Sequence, residues 1–191
     1  MRTFILYLNK ARTDEKFNID DLPSSGGRMD VLCRAVTSSL WLSHSLREET
    51  KLIGVLNGPP NPPVSVYFNS NTMKFVSPDE RSISFWIKKA LAQIGKTTRS
   101  GIYAERKSFQ EIIKELKDMP IYILHESGKN IFEVKILDNP VFILGDHIGI
   151  PKKDENFAMR YAKEKISLGK KSYLASSCIS IINWILDVNL K

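Results

Sequence analysis

At 191 residues, with 42% hydrophobic and 26% charged side chains, the chain is a globular protein long enough to bury a core without disulfide or metal staples. A net charge of +7 and a pI near 9.4 point to an anionic partner, nucleic acid being the obvious one. No stretch reaches the roughly 20 apolar residues of a membrane span, the N-terminal apolar run is too short for a signal peptide, and Cys33 and Cys178 lie too far apart to suggest a disulfide framework, so a cytoplasmic protein with no membrane partner is expected.

In chain order, Arg2 to Leu8 is β-rich and reads as a first strand, followed by a polar loop from Asn9 to Gly27. From Arg28, the spacing of Leu32, Val36 and Leu40 predicts an amphipathic helix to about Leu42. Lys51 to Leu56 reads as a second strand that stops at Gly58-Pro59-Pro60-Asn61-Pro62-Pro63, whose prolines cannot donate ladder hydrogen bonds. Val64 to Phe68 resumes as strand. Ser77-Pro78-Asp79-Glu80 predicts a helix start capped by Ser77. Gly95 to Arg106 looks irregular and basic, with Lys96, Arg99 and Arg106 around Tyr103, a mixture that RNA-binding surfaces use. Ser108 with Glu111 opens another helix, Ile121 to Leu124 is a strand, and Asp154 to Ala162 a short helix.

Two stretches carry the candidate site. Val141 to Leu144 is an unbroken apolar run that breaks into Gly145-Asp146-His147-Ile148-Gly149, a buried strand ending in a tight loop. Ile166 to Leu168 reads as a short strand, Gly169 to Ser172 as a polar turn and Leu174 to Leu186 as an apolar-rich helix. Strand-end loops of this kind are where ligands sit in α/β proteins. The alternation of strand and helix implies an α/β fold with a mostly parallel sheet covered by helices on both faces, spanning 1–191 as a single domain. Ile181, Ile182, Trp184 and Ile185 give the last helix more apolar surface than one buried face needs.

Nothing signals the commonest cofactor chemistries. A G-x-G-x-x-G after the first strand, a triphosphate loop and a nucleophile elbow are all missing, and His44, His125 and His147 with the two cysteines form no zinc spacing, so no metal is expected.

The blocks N-P-V-F-I-L-G-D-H-I-G-I, I-S-L followed by Leu174-Ala175 and Cys178, D-L-P-S-S-G-G-R-M-D-V-L-C-R, N-G-P-P-N-P-P-V and S-P-D-E-R together resemble the archaeal tRNA pseudouridine-54 N1-methyltransferases, of the SPOUT class. The resemblance implies S-adenosylmethionine as cofactor, tRNA as substrate, a homodimer, and a C-terminal deep trefoil knot. It implies cofactor contacts at Leu124, Gly145, Leu168, Gly169, Lys170, Lys171, Ser172 and Tyr173, with Cys178 close by. Relatives usually carry Ser-Pro-Leu where this chain has Gly169-Lys170-Lys171. On the RNA side, the loop from Asp21 into the first helix offers Arg28 as an anchor for phosphate or a uracil oxygen and Asp30 as base; an Asp30–Arg34 pair four apart on one helix is the structural alternative. Other substrates open to such a fold are ribosomal RNA or another nucleotide, or RNA bound without catalysis.

Overall fold

The computed structural model describes residues 1–189. Its elements run β1 (Arg2–Leu8), α1 (Met29–Leu40), β2 (Thr50–Leu56), β3 (Val64–Asn69), α2 (Glu80–Leu91), β4 (Tyr103–Glu105), α3 (Phe109–Glu115), β5 (Ile121–Asn130), a 3-10 turn at Ile131–Glu133, β6 (Val141–Gly145), α4 (Lys152–Met159), β7 (Ala162–Ser167) and α5 (Ala175–Asn189). The strands form one seven-stranded sheet in the order β4-β3-β2-β1-β6-β5-β7. Pairing is parallel from β2 through β1, β6 and β5 to β7, and antiparallel where β3 meets β2 and β4 meets β3.

The near-continuous apolar runs of β1, β2 and β6 follow from burial on both sheet faces. Side chains alternate between two cores, as a period of two requires. Phe4, Leu6, Leu52, Val66, Phe142 and Leu144 meet α1, α2 and α5 through Leu32, Ile83 and Ile182. Ile5, Tyr7, Val55, Ile123 and Ile143 meet α3 and α4 through Ile112, Ile113 and Ala158 on the other side. Helices therefore cover both faces, and the parallel strands β1, β6, β5 and β7 end at one rim of the sheet. Among the described residues, no helix is long and apolar enough to cross a membrane.

Several boundaries differ from the sequence pattern. The cap of α2 is Asp79, whose carboxylate accepts from the Ser82 amide at 2.8 Å, while the Ser77 amide donates to the Ser82 hydroxyl. The irregular basic segment hides β4, because Tyr103 to Glu105 pairs with β3. Strand β5 runs on past Leu124 to Asn130, since Lys129 and Asn130 rejoin β7 after a register shift. Strand β7 begins at Ala162 instead of Ile166, its first half being the charged sequence A-K-E-K of an edge strand, which gives no apolar signal. Accordingly α4 stops at Met159, and α1 stops at Leu40 because Trp41 is extended. The capping box at Ser108 and Glu111 forms as the pattern predicts.

Candidate functional site

At the rim where β5, β6 and β7 end, three chain segments surround a cleft of about 450 Å³, within the size range of small-molecule sites. Its wall takes Ile123 to Glu126 from the middle of β5, Leu144 to Ile150 from the end of β6, and Ile166 to Gly169 with Lys171 to Ser176 and Cys178 from the end of β7 and the start of α5. Leu124, Leu144, Ile166 and Leu168 make the interior apolar, and Arg28, Val31 and Arg34 of the α1 region also line it.

The β6 loop is held rigidly. The Asp146 carboxylate accepts the Asn9 amide and the Asn9 side chain, both at 2.8 Å, and the Ile148 amide at 2.9 Å; Asn9 also donates to the Gly149 carbonyl at 2.7 Å. These bonds occupy Asp146 and leave it 8% exposed, so it is a brace for the loop. Gly145 fits under the turn: a Cβ there would lie 2.6 to 2.8 Å from the backbone of Gly149 and Ile150. The β7 loop is tied to β5 by the Ser172 hydroxyl, which donates to Glu126. Gly169 has φ of 118°, a conformation serine would resist, so the loop path at the Gly-Lys-Lys sequence is suited to this chain's own residues.

Arg28 sits directly before α1 at φ 73°, a left-handed conformation uncommon for a long side chain. Its guanidinium forks onto Asp30, Nε to Oδ1 at 3.0 Å and Nη2 to Oδ2 at 3.1 Å. Arg34 reaches the same carboxylate at 2.6 Å and Glu80, the first residue of α2, at 3.2 Å. Burial alone would raise the Asp30 carboxyl's pKa, but the hydrogen bonds from Arg28 and Arg34 hold it below the usual carboxylate range. Asp30 is 3% exposed and outside the cleft wall. Asp30 is thus a buried anion paired with two arginines that line the cleft.

Of the residues singled out for the cofactor, the fold brings together Leu124, Gly145, Leu168, Gly169, Lys171, Ser172, Tyr173 and Cys178. Lys170 is exposed and does not line the cleft. Cys178 is half-buried and desolvation pushes its thiol up to about 11, which suits a wall residue and not a thiolate nucleophile. Sequence reasoning missed Asn9, whose only signal is its place directly after an apolar strand, and Glu155. Lys165 holds Glu155 as an anion below the usual range, and Glu155 lines the cleft from α4. No group of three or more potential metal ligands occurs among the described residues.

The family model described as "Putative SAM-dependent RNA methyltransferase" matches residues 1–189. The chain is 46% identical to the tRNA (pseudouridine(54)-N(1))-methyltransferase of Methanococcus maripaludis strain C5, with 98% of each chain covered. It is 41% identical to the protein of the same name from Thermococcus kodakarensis, covering 98% of this chain and 99% of that one. Among solved structures it is similar to Archaeoglobus fulgidus Nep1 bound to S-adenosylhomocysteine, with a TM-score of 0.69 over 96% of this chain and 95% of that one at 10% identity, a likeness of fold.

Proposed function

The chain belongs to the family of SAM-dependent RNA methyltransferases, and we propose that it methylates N1 of pseudouridine 54 in tRNA, as its relatives from Methanococcus and Thermococcus are named for doing. The observation that carries this reading is the cleft itself: an apolar pocket at the carboxyl ends of parallel strands, closed by rigid loop backbone, with two arginines at its mouth. S-adenosylmethionine, when bound, supplies the methyl group. Apolar walls at Leu124, Leu144, Ile166 and Leu168 suit its adenine, and Gly145 keeps the loop beside it in place.

The chain's own contribution is placement and charge. Holding the nucleotide in line inside a partly dry cleft removes most of the entropic cost of a two-body reaction. Arg28 and Arg34 face the substrate side; a guanidinium on a uracil oxygen stabilises the charge that develops as N1 loses its proton, which then passes to water at the open mouth. Asp30, doubly bonded and buried, is assigned to positioning these arginines in place of the base role expected from sequence. Incubation with tRNA and cofactor followed by mass spectrometry of the nucleosides should show methylpseudouridine from a pseudouridine-54 substrate and nothing from the uridine-54 form. Equal product from both would remove the N1 assignment.

The same reading makes the protein one cytoplasmic domain with a threaded C-terminus. Ile131, Val134 and Ile136 of the β5–β6 connection pack into the same core cluster as Ile179, Ile182 and Ile185 of α5, which is compatible with threading. It also makes the protein a homodimer. Ile182 and Ile185 are consumed by the core and Ile181 packs against it, so the surplus apolar surface of α5 rests on Trp184 and Val188, 59% and 55% exposed, with Leu174 just before the helix at 68%. Light scattering at low micromolar concentration is expected to give twice the 21.8 kDa chain mass, and a clean monomer counts against it.

A further inference from the structure

A second surface, outside the cleft, combines aromatic rings with unpaired cations. Phe75 is 67% exposed and packs its ring against the Arg99 guanidinium, 5.1 Å from the ring centroid. Its carbonyl accepts the Trp86 indole at 3.0 Å, and Trp86 meets Phe85 edge to face at 5.2 Å, with Lys89 5.4 Å from the Phe85 ring. Phe75 adopts φ of 59°, and a bulky aromatic held in the left-handed region and presented to water brings strain without the packing that usually offsets it. Neither Arg99 nor Lys89 is ion-paired among the described residues, whereas Arg34 and Arg81 are.

We propose that this surface stacks an unpaired nucleotide of the tRNA other than the one methylated, with Phe75 and Arg99 as the platform and Lys89 as a phosphate contact. This rests on the reading that tRNA is the substrate. Sequence-tolerant RNA contacts are made by bases lying on aromatic and guanidinium planes beside cations, which is the chemistry these residues offer. The surface shares helix α2 with a residue that touches the cleft lining. Arg34, which lines the cleft, pairs with Glu80 at the start of α2, and Phe85 lies five residues on, roughly 8 Å along the helix axis.

The test is tRNA affinity, read by fluorescence anisotropy with pseudouridine-54 tRNA in the absence of S-adenosylmethionine, so that no turnover occurs. Phe75→Gly and Arg99→Ala are each expected to weaken tRNA binding about tenfold, the size of one lost stacking contact. Affinity for S-adenosylmethionine should not change. Because glycine relaxes the backbone at this position, Phe75→Gly should melt at or above the wild-type temperature, which separates a lost contact from a damaged fold. Wild-type tRNA affinity in both variants overturns the inference, as does a drop in light-scattering mass of the RNA-free protein, which would make the surface a contact between copies. Wild-type protein that binds no tRNA overturns both this and the proposed function. A wild type that binds but does not methylate removes only the reaction, and the tenfold losses would still support the platform.

Discussion

Gly145→Val is expected to abolish S-adenosylmethionine binding in a calorimetric titration, at least about a hundredfold loss, and to lower the melting temperature as well. The sequence suggests a variant that would meet the cofactor and leave the fold intact. The structure puts backbone in the way first: a Cβ on Gly145 would lie 2.6 Å from the Gly149 carbonyl carbon, 2.7 Å from its Cα and 2.8 Å from the Ile150 nitrogen. Those atoms cannot swing aside like a side chain, because Asn9 pins Gly149 and Asp146 pins the Ile148 amide. The loop must shift bodily, and such overpacking typically costs about 1–3 kcal/mol. Gly149→Ala is the matched control, since a Cβ there meets nothing within 4 Å and only its φ of 87° disfavours it. It should cost stability and retain most of the cofactor affinity. Wild-type affinity in Gly145→Val would move the cofactor to another site.

Those two glycines illustrate which parts of the fold could be read from sequence. The alternation of buried runs with amphipathic stretches gave the sheet-and-helix architecture, and the break after Leu144 marked the site loop, because apolar periodicity and turn chemistry are local. What escaped depends on contacts remote in sequence. Strand β7 starts with charged residues because it is an edge, which only the pairing of Tyr122 with Glu164 reveals. The role of Asn9 exists only because β1 and β6 are neighbours, 137 residues apart at the Asn9–Asp146 bond. The Asp30–Arg34 pair was visible at helical spacing, but the fork from Arg28 needs a left-handed φ that no residue type there announces. The cofactor residues were named by resemblance, and the fold gathers all but Lys170 around one cleft.

Arg28→Ala is expected to cut tRNA methylation by about a hundredfold or more while S-adenosylmethionine affinity stays within about twofold, because the guanidinium is partly exposed and forked onto Asp30, apart from the apolar wall of Leu124, Leu144, Ile166 and Leu168. Salt adds a second readout: a contact to a uracil oxygen releases no condensed counterion, so the slope of tRNA affinity against salt should stay near the wild-type value. Arg28→Lys should recover little, since an ammonium cannot reproduce the two bonds at 3.0 and 3.1 Å to Asp30. The role of Asp30 is separated by the split between KM and kcat, since its charge does not change in the assay range. Its folded pKa is depressed, so the stability it contributes is complete above the unfolded value of about 3.9 and is lost only as pH falls through the lower folded value. The clamp is therefore fully ionised across neutral pH, and Asp30 should add no limb to a methylation profile between about pH 6 and 9. Asp30→Asn then raises KM for tRNA, because Arg28 and Arg34 lose their aim, and leaves the profile's shape unchanged. A fall in kcat alone, with KM for tRNA unchanged, would make Asp30 the base and return the proton transfer to the residue the sequence first suggested. If Arg28→Ala instead lowers only the melting temperature and methylation persists, the substrate lies away from this mouth.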